Sequence, residues 1–138
     1  MSRNWFHDMV TRHQRYGVDK WMDKEKNSEW SKLRTFMDFR INMMQEELDE
    51  TKAAVKNKDP EEIVDGIIDL CVFAIGTLEV FGVDAHKAWD QVYHANMSKE
   101  VGIKKGRPNP LGLPDLVKPK DWKAPSHEGN HGNISDSF

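Results

Sequence analysis

A chain of 138 residues has room for one domain with a real hydrophobic core and is too short to argue for two. Apolar residues make up 38% and charged residues 31%, and 20 basic against 23 acidic side chains leave a formal net charge of −3. That balance suits a soluble globular protein and supplies no overall field toward nucleic acid or anionic lipid, so neither partner is expected.

The one cysteine, Cys71, lies among Leu70, Val72 and Phe73. It excludes an intramolecular disulfide, fits a reducing cytoplasm and reads as a small buried hydrophobe. The N-terminal segment carries Arg3, His7 and Asp8 without the apolar core of a secretory leader. The apolar run over 67–83 is interrupted by Gly76, Thr77, Glu79 and Gly82, short of the roughly 18 uninterrupted residues a membrane span needs.

Proline is absent before Pro60, and five of the six prolines lie at or beyond Pro108, which predicts helices first and an extended arm afterwards. Trp5, Phe6, Met9, Val10 and His13 stand at helical spacing and predict a short amphipathic helix over 3–16 that stops at Gly17. The polar stretch 19–27 reads as a loop. Leu33, Met37, Ile41, Met44, Leu48 and Val55 then predict a long helix over 28–57. Asp59 as N-cap, Pro60 at the first helical position and Glu62 closing a capping box start a third helix, which ends before Gly82.

A fourth helix over 85–100 is capped by Asp84, turns Ala88, Trp89, Val92 and Tyr93 inward and ends before Gly102. From 104 onward Pro, Gly, Lys and Asn dominate without periodicity. The expected organisation is one all-α domain over 1–125, a four-helix bundle with an extended arm, and a disordered, dispensable tail over 126–138. Because the third helix is apolar nearly all round between 67 and 81, other subunits are expected to complete its burial, as a homodimer or homotetramer. The alternative is that the other helices and the arm suffice.

The unusual chemistry is acidic. Phe36, Phe39, Met43, Glu46, Glu47, Glu50 and Ala54 form one stripe, so the carboxylates continue an apolar face; Glu62, Asp65, Asp69, Val72 and Gly76 line up likewise on the third helix. A solvated face paired with Lys52 and Lys56 accounts for the first group equally well. It does not account for Asp69, flanked by Ile67, Ile68, Leu70 and Val72, since a lone carboxylate out of water costs several kcal/mol.

Two facing helices would thus hold about five carboxylates in one cleft, and an all-oxygen donor set suits Mg²⁺, with Mn²⁺ as a substitute. A di-iron bundle needs Glu-x-x-His pairs on core helices, and the one such spacing here is Glu128 to His131 in the tail. Asn96 and Lys99 extend the inward stripe of the fourth helix, where an amide and a lysine reach phosphate oxygens or a base edge. A frayed helix end explains them too.

Glu-Glu-x-x-Glu at 46–50, Asp65-Gly66-Ile67-Ile68-Asp69 and Asn96-Met97-Ser98-Lys99 together resemble the all-α nucleoside triphosphate pyrophosphohydrolase superfamily. That superfamily includes MazG, dimeric dUTPases and phosphoribosyl-ATP pyrophosphohydrolase, and the compact form looks like the short MazG-like proteins of bacteria and phages. The resemblance covers about 34–100. It implies a Mg²⁺-dependent enzyme that cleaves a (d)NTP to the monophosphate and pyrophosphate, in the cytoplasm of a bacterium or of a phage host.

Carried onto this sequence, the resemblance implies Glu46 or Glu47 as the base, Glu47, Glu50, Asp65 and Asp69 as metal ligands, and Arg40, Trp89, Asn96 and Lys99 as substrate-binding residues. Lys104, Lys105 and Arg107 are outer cations. Where many members carry Glu three positions before the aspartate, this chain has Gly66, and Asp65 is taken as the replacement. The alternatives are a phosphoribosyl-ATP pyrophosphohydrolase-like enzyme and a non-enzymatic metal-binding helical interaction module.

Overall fold

The computed structural model describes residues 4–29 and 31–138, and among these it contains five α-helices, two short strands and a C-terminal 3-10 helix. The expected helix start at position 3, and position 30 within the expected second helix, lie outside the described residues. The chain divides into two compact units, Met1–Ala85 with Gly129–Phe138, and His86–Glu128.

In the first unit, α1 (Trp5–Tyr16) begins where the Asn4 side chain accepts from His7 N at 3.1 Å. It ends at Gly17, whose φ of 72° is the left-handed conformation that glycine adopts without strain. The loop expected over 19–27 is instead α2 (Val18–Glu25). Val18, Trp21 and Met22 are the i, i+3 and i+4 positions of a single inward stripe, and Met22 is buried while Lys20, Asp23 and Lys24 face water. Next come α3 (Leu33–Lys56) and α4 (Pro60–Val80).

The core of this unit is Leu33 and Phe81, both fully buried, with Met22 and Val80. The Phe36 ring lies 4.9 Å from Trp21 and 5.8 Å from Phe81, within the range of favourable tilted aromatic pairs. The segment expected to be a disordered tail differs most from its sequence reading. Residues Gly132–Ser137 form a 3-10 helix, Ile134 packs on the core, and Asn133 N donates to Phe81 O at 2.6 Å. Asn130 adds a reciprocal pair with the Asp84 backbone at 2.8 and 2.9 Å.

In the second unit, α5 (Ala85–Met97) stops three residues before the expected end, and β1 (Glu100–Gly102) pairs antiparallel with β2 (Asp115–Val117). Arg107 reaches Asp115 at 3.1 Å across this hairpin. Residues read as an extended arm therefore include a strand. The face of α5 expected to turn inward is open: Trp89, Val92 and Tyr93 are exposed, Trp89 by 71%. Among the described residues no single helix is long and apolar enough to cross a membrane.

A buried polar chain ties α1, α3 and α4 together. Arg40 Nη2 donates to His13 Nε2 at 3.0 Å, which leaves the proton on His13 Nδ1, where it is donated to Glu79 Oε2. The His13 pKa is lowered, first by burial and then by Arg40 and Arg12, against the opposing pull of Glu79. A proton added at Nε2 would face the Arg40 N–H, so the folded state holds the ring neutral while the unfolded chain protonates near 6.5.

The unfolded state thus binds more protons as the pH falls. The stabilisation is complete above pH 6.5 and is lost as the pH drops through the folded pKa. Melting temperatures measured from about pH 7.5 to 5 are expected to fall, and His13→Gln to remove the His13 share of that slope. An unchanged slope in His13→Gln would show that the ring does not titrate on unfolding.

Candidate active site

Helices α3 and α4 pack antiparallel, and two close approaches fix their register. At one, a side-chain carbon on Gly76 would lie 3.3 Å from Arg40 Nη1; at the other, a carbon on Gly66 would collide with Thr51 Oγ1. Thr51 is held there because its hydroxyl donates to Glu47 O at 2.7 Å. Gly66 is buried against this side chain, which explains physically why no carboxylate occupies position 66. Gly66→Ala is therefore expected to push α3 from α4 and to cost about 1–3 kcal/mol, read from urea or thermal unfolding. A stability within error of wild type would mean that Thr51 simply rotates away.

Between these contacts Glu47 comes level with Asp69, and the structure brings the acids of both helices to one place. The Glu47 carboxyl is raised above its ordinary value, first by burial and then by the charges of Asp69, Glu50, Asp65 and Glu46. The other four candidate acids thus all act on Glu47. Glu47 and Asp69 are half-buried, whereas Glu46, Glu50 and Asp65 are exposed.

Glu62 does not figure among the charges acting on Glu47. Its backbone N–H donates to Asp59 Oδ1 at 3.2 Å, as an N-cap requires. The reciprocal half of the expected capping box is not formed, because Asp59 N donates to Ala54 O instead. Among the described residues no three His, Cys, Asp or Glu side chains stand ready to enclose a metal ion. The donor set is nevertheless all carboxylate, and a hard cation held by one or two carboxylates with water around it needs no tighter cage.

Arg40, expected among the substrate-binding cations, is an interior residue. It is 6% exposed, stacks 4.9 Å above the Phe36 ring and bonds to His13. One partner, Phe36, stands one turn earlier on α3; the other, His13, comes from α1, and no spacing within α3 announces it. Asn96 and Lys99 lie in the second unit, half-buried, with Lys99 Nζ donating to Asn96 Oδ1 at 3.1 Å. Thr51 was not singled out by sequence reasoning, and His13 was placed on the first helix's stripe without a role.

The phosphoribosyl-ATP pyrophosphohydrolase family matches residues 16–96, more than half of the chain, from the end of α1 to the last turn of α5. The chain belongs to that family. It is thereby a member of the MazG-like all-α nucleoside triphosphate pyrophosphohydrolase superfamily, whose activity is hydrolysis of a phosphoric anhydride in a nucleotide. The acids of α3 and α4 all fall inside the matched segment of this pyrophosphohydrolase. No curated protein and no solved structure matches the chain.

Proposed function

We propose that the protein is a Mg²⁺-dependent nucleoside triphosphate pyrophosphohydrolase that cleaves a (d)NTP between the α and β phosphates, releasing a nucleoside monophosphate and pyrophosphate. The observation that carries this reading is the convergence of four carboxylates, Asp69, Glu50, Asp65 and Glu46, on Glu47 across α3 and α4. Glu47, Glu50, Asp65 and Asp69 are assigned to the metal. When bound there, Mg²⁺, or Mn²⁺ in its place, supplies charge neutralisation for phosphate oxygens.

The chain's own part is to place a proton acceptor beside the reacting phosphate. Glu46 or Glu47 is that base, and the raised affinity of Glu47 for a proton moves it toward the working pH, where general-base catalysis is efficient. Asn96 and Lys99 are assigned to the phosphates, and Trp89, exposed on α5, to the base. We place the enzyme in the cytoplasm, as a homodimer or homotetramer. Exposed Val64, Ile67 and Ile68 on α4 support assembly, because a contiguous aliphatic helix face in water is costly.

The test is release of pyrophosphate from a panel of dNTPs and NTPs with and without Mg²⁺. Turnover of at least one triphosphate that disappears in EDTA is expected; none with any of them would end this reading. Phosphoribosyl-ATP belongs in the same panel, because the matching family carries that substrate in its name. In the same assay, Asp65→Ala is expected to shift the Mg²⁺ dependence to higher concentration. Glu62→Ala should leave it unchanged and cost at most a few tenths of a kcal/mol, since only the backbone of Glu62 contributes to the cap. The reverse pattern would reassign the third ligand to Glu62.

A further inference from the structure

In the second unit two lysines are brought together that no carboxylate neutralises. The hairpin register pairs Glu100 with Val117, so Lys99 and Lys118 are the next positions across the two strands. Lys99 Nζ lies 5.2 Å, and Lys118 Nζ 4.9 Å, from the centre of the same Trp122 ring. Among the described residues neither lysine has an acidic side chain within ion-pair distance.

Like charges set opposite one another across a strand pair disfavour the folded state. Here the arrangement is held in place. Trp122 Nε1 donates to Ala95 O at 2.7 Å, a carbonyl of the last turn of α5 left over because Lys99 N bonds to Asn96 O. Trp122 N closes a turn onto Pro119 O at 3.0 Å. The indole is thus fixed at a helix end, and its electron-rich ring draws both ammonium groups to within 5.2 Å of its centre.

We propose that Lys99, Lys118 and Trp122 form a clamp for the anionic chain of a polyphosphate, in which Lys118 is a second phosphate-binding cation and Trp122 a positioning residue. Lys118 and Trp122 lie outside the segment that matches the family. Two fixed cations flanking one ring suit an anion with several linked phosphates better than a single carboxylate, because each ammonium then meets its own oxygens. That this anion is the substrate's triphosphate or the product pyrophosphate rests on the pyrophosphohydrolase reading. Anion binding itself does not.

The experiment is calorimetric titration of inorganic pyrophosphate into the full chain in EDTA, which removes any contribution from a metal at the acids. Binding by the wild type is expected, about tenfold weaker in Lys118→Met and in Trp122→Leu, with Trp122→Phe within about threefold of wild type because the ring is kept. dATP should compete with pyrophosphate and deoxyadenosine should not, which separates a phosphate site from a base site. Absence of binding by the wild type, or wild-type affinity in Lys118→Met, overturns the clamp.

Lys118 is exposed, so its replacement decides the matter even if Trp122→Leu is unstable. Hydrolysis with Mg²⁺ then tells the two readings apart. Pyrophosphate binding without turnover of any triphosphate leaves the clamp and removes the enzyme assignment. Turnover with wild-type KM in Lys118→Met leaves the enzyme and removes the clamp; a KM raised about tenfold at unchanged kcat is the expected result.

Discussion

Glu47→Gln is expected to lower Mg²⁺-dependent pyrophosphate release by about 10²-fold or more while leaving the helical circular dichroism unchanged. The substitution keeps the shape of the side chain and removes its charge. In the folded protein the Glu47 carboxyl is raised by burial and by Asp69, Glu50, Asp65 and Glu46, so the folded state binds its proton more tightly than the unfolded chain. Its ionisation therefore opposes folding once the pH rises past the ordinary value of 4.5.

At neutral pH in EDTA the Gln variant is accordingly expected to melt at the same temperature as wild type or higher. Loss of activity at undiminished stability is the signature of a carboxylate kept for chemistry. A solvated helix-face residue would leave both quantities alone, and a residue needed for packing would lower the second. Pyrophosphate release and a thermal melt on one preparation separate the three, and wild-type turnover in Glu47→Gln would remove the acids of α3 from the site.

How far the sequence carries depends on where each residue finds its partner. The stripes of α3 and α4 are local patterns, and so are the Asp59–Pro60 start and the αL glycine at 17, because periodicity and caps are written within a few residues of each other. The acids were legible for the same reason: they break an apolar stripe on their own helix. α2 was not. Its inward positions are only Val18, Trp21 and Met22, too few to outweigh the charges around them without Phe36 and Leu33 to pack on.

Arg40 illustrates the other limit. A basic residue six positions before an acidic cluster suggests phosphate binding, yet its guanidinium is buried, with one nitrogen on His13 from α1 and its plane over the Phe36 ring. Contacts 27 residues apart leave no trace in spacing. Lys118 and Trp122 were equally hidden, since three-residue strands are too short to show alternation and the hairpin alone sets Lys118 opposite Lys99.

Deletion of residues 129–138 is expected to destabilise the first unit by about 3–5 kcal/mol, although that segment reads as a dispensable polar tail. Ile134 packs on the core beside Leu33 and Phe81, and partial burial of one Ile contributes about 1–1.5 kcal/mol. The reciprocal Asn130 bonds to the Asp84 backbone and the Asn133 N–H to Phe81 O add roughly 1 kcal/mol each. The deletion also uncovers Phe81, which the intact chain buries completely. For a chain of this length the loss corresponds to a fall of roughly 10 °C or more in melting temperature. Ile134→Ala and Asn130→Ala, each removing one part of the contact, should reproduce much of it between them. A truncated chain that melts within about 2 °C of the full one would show that the 3-10 helix rests on the unit without holding it.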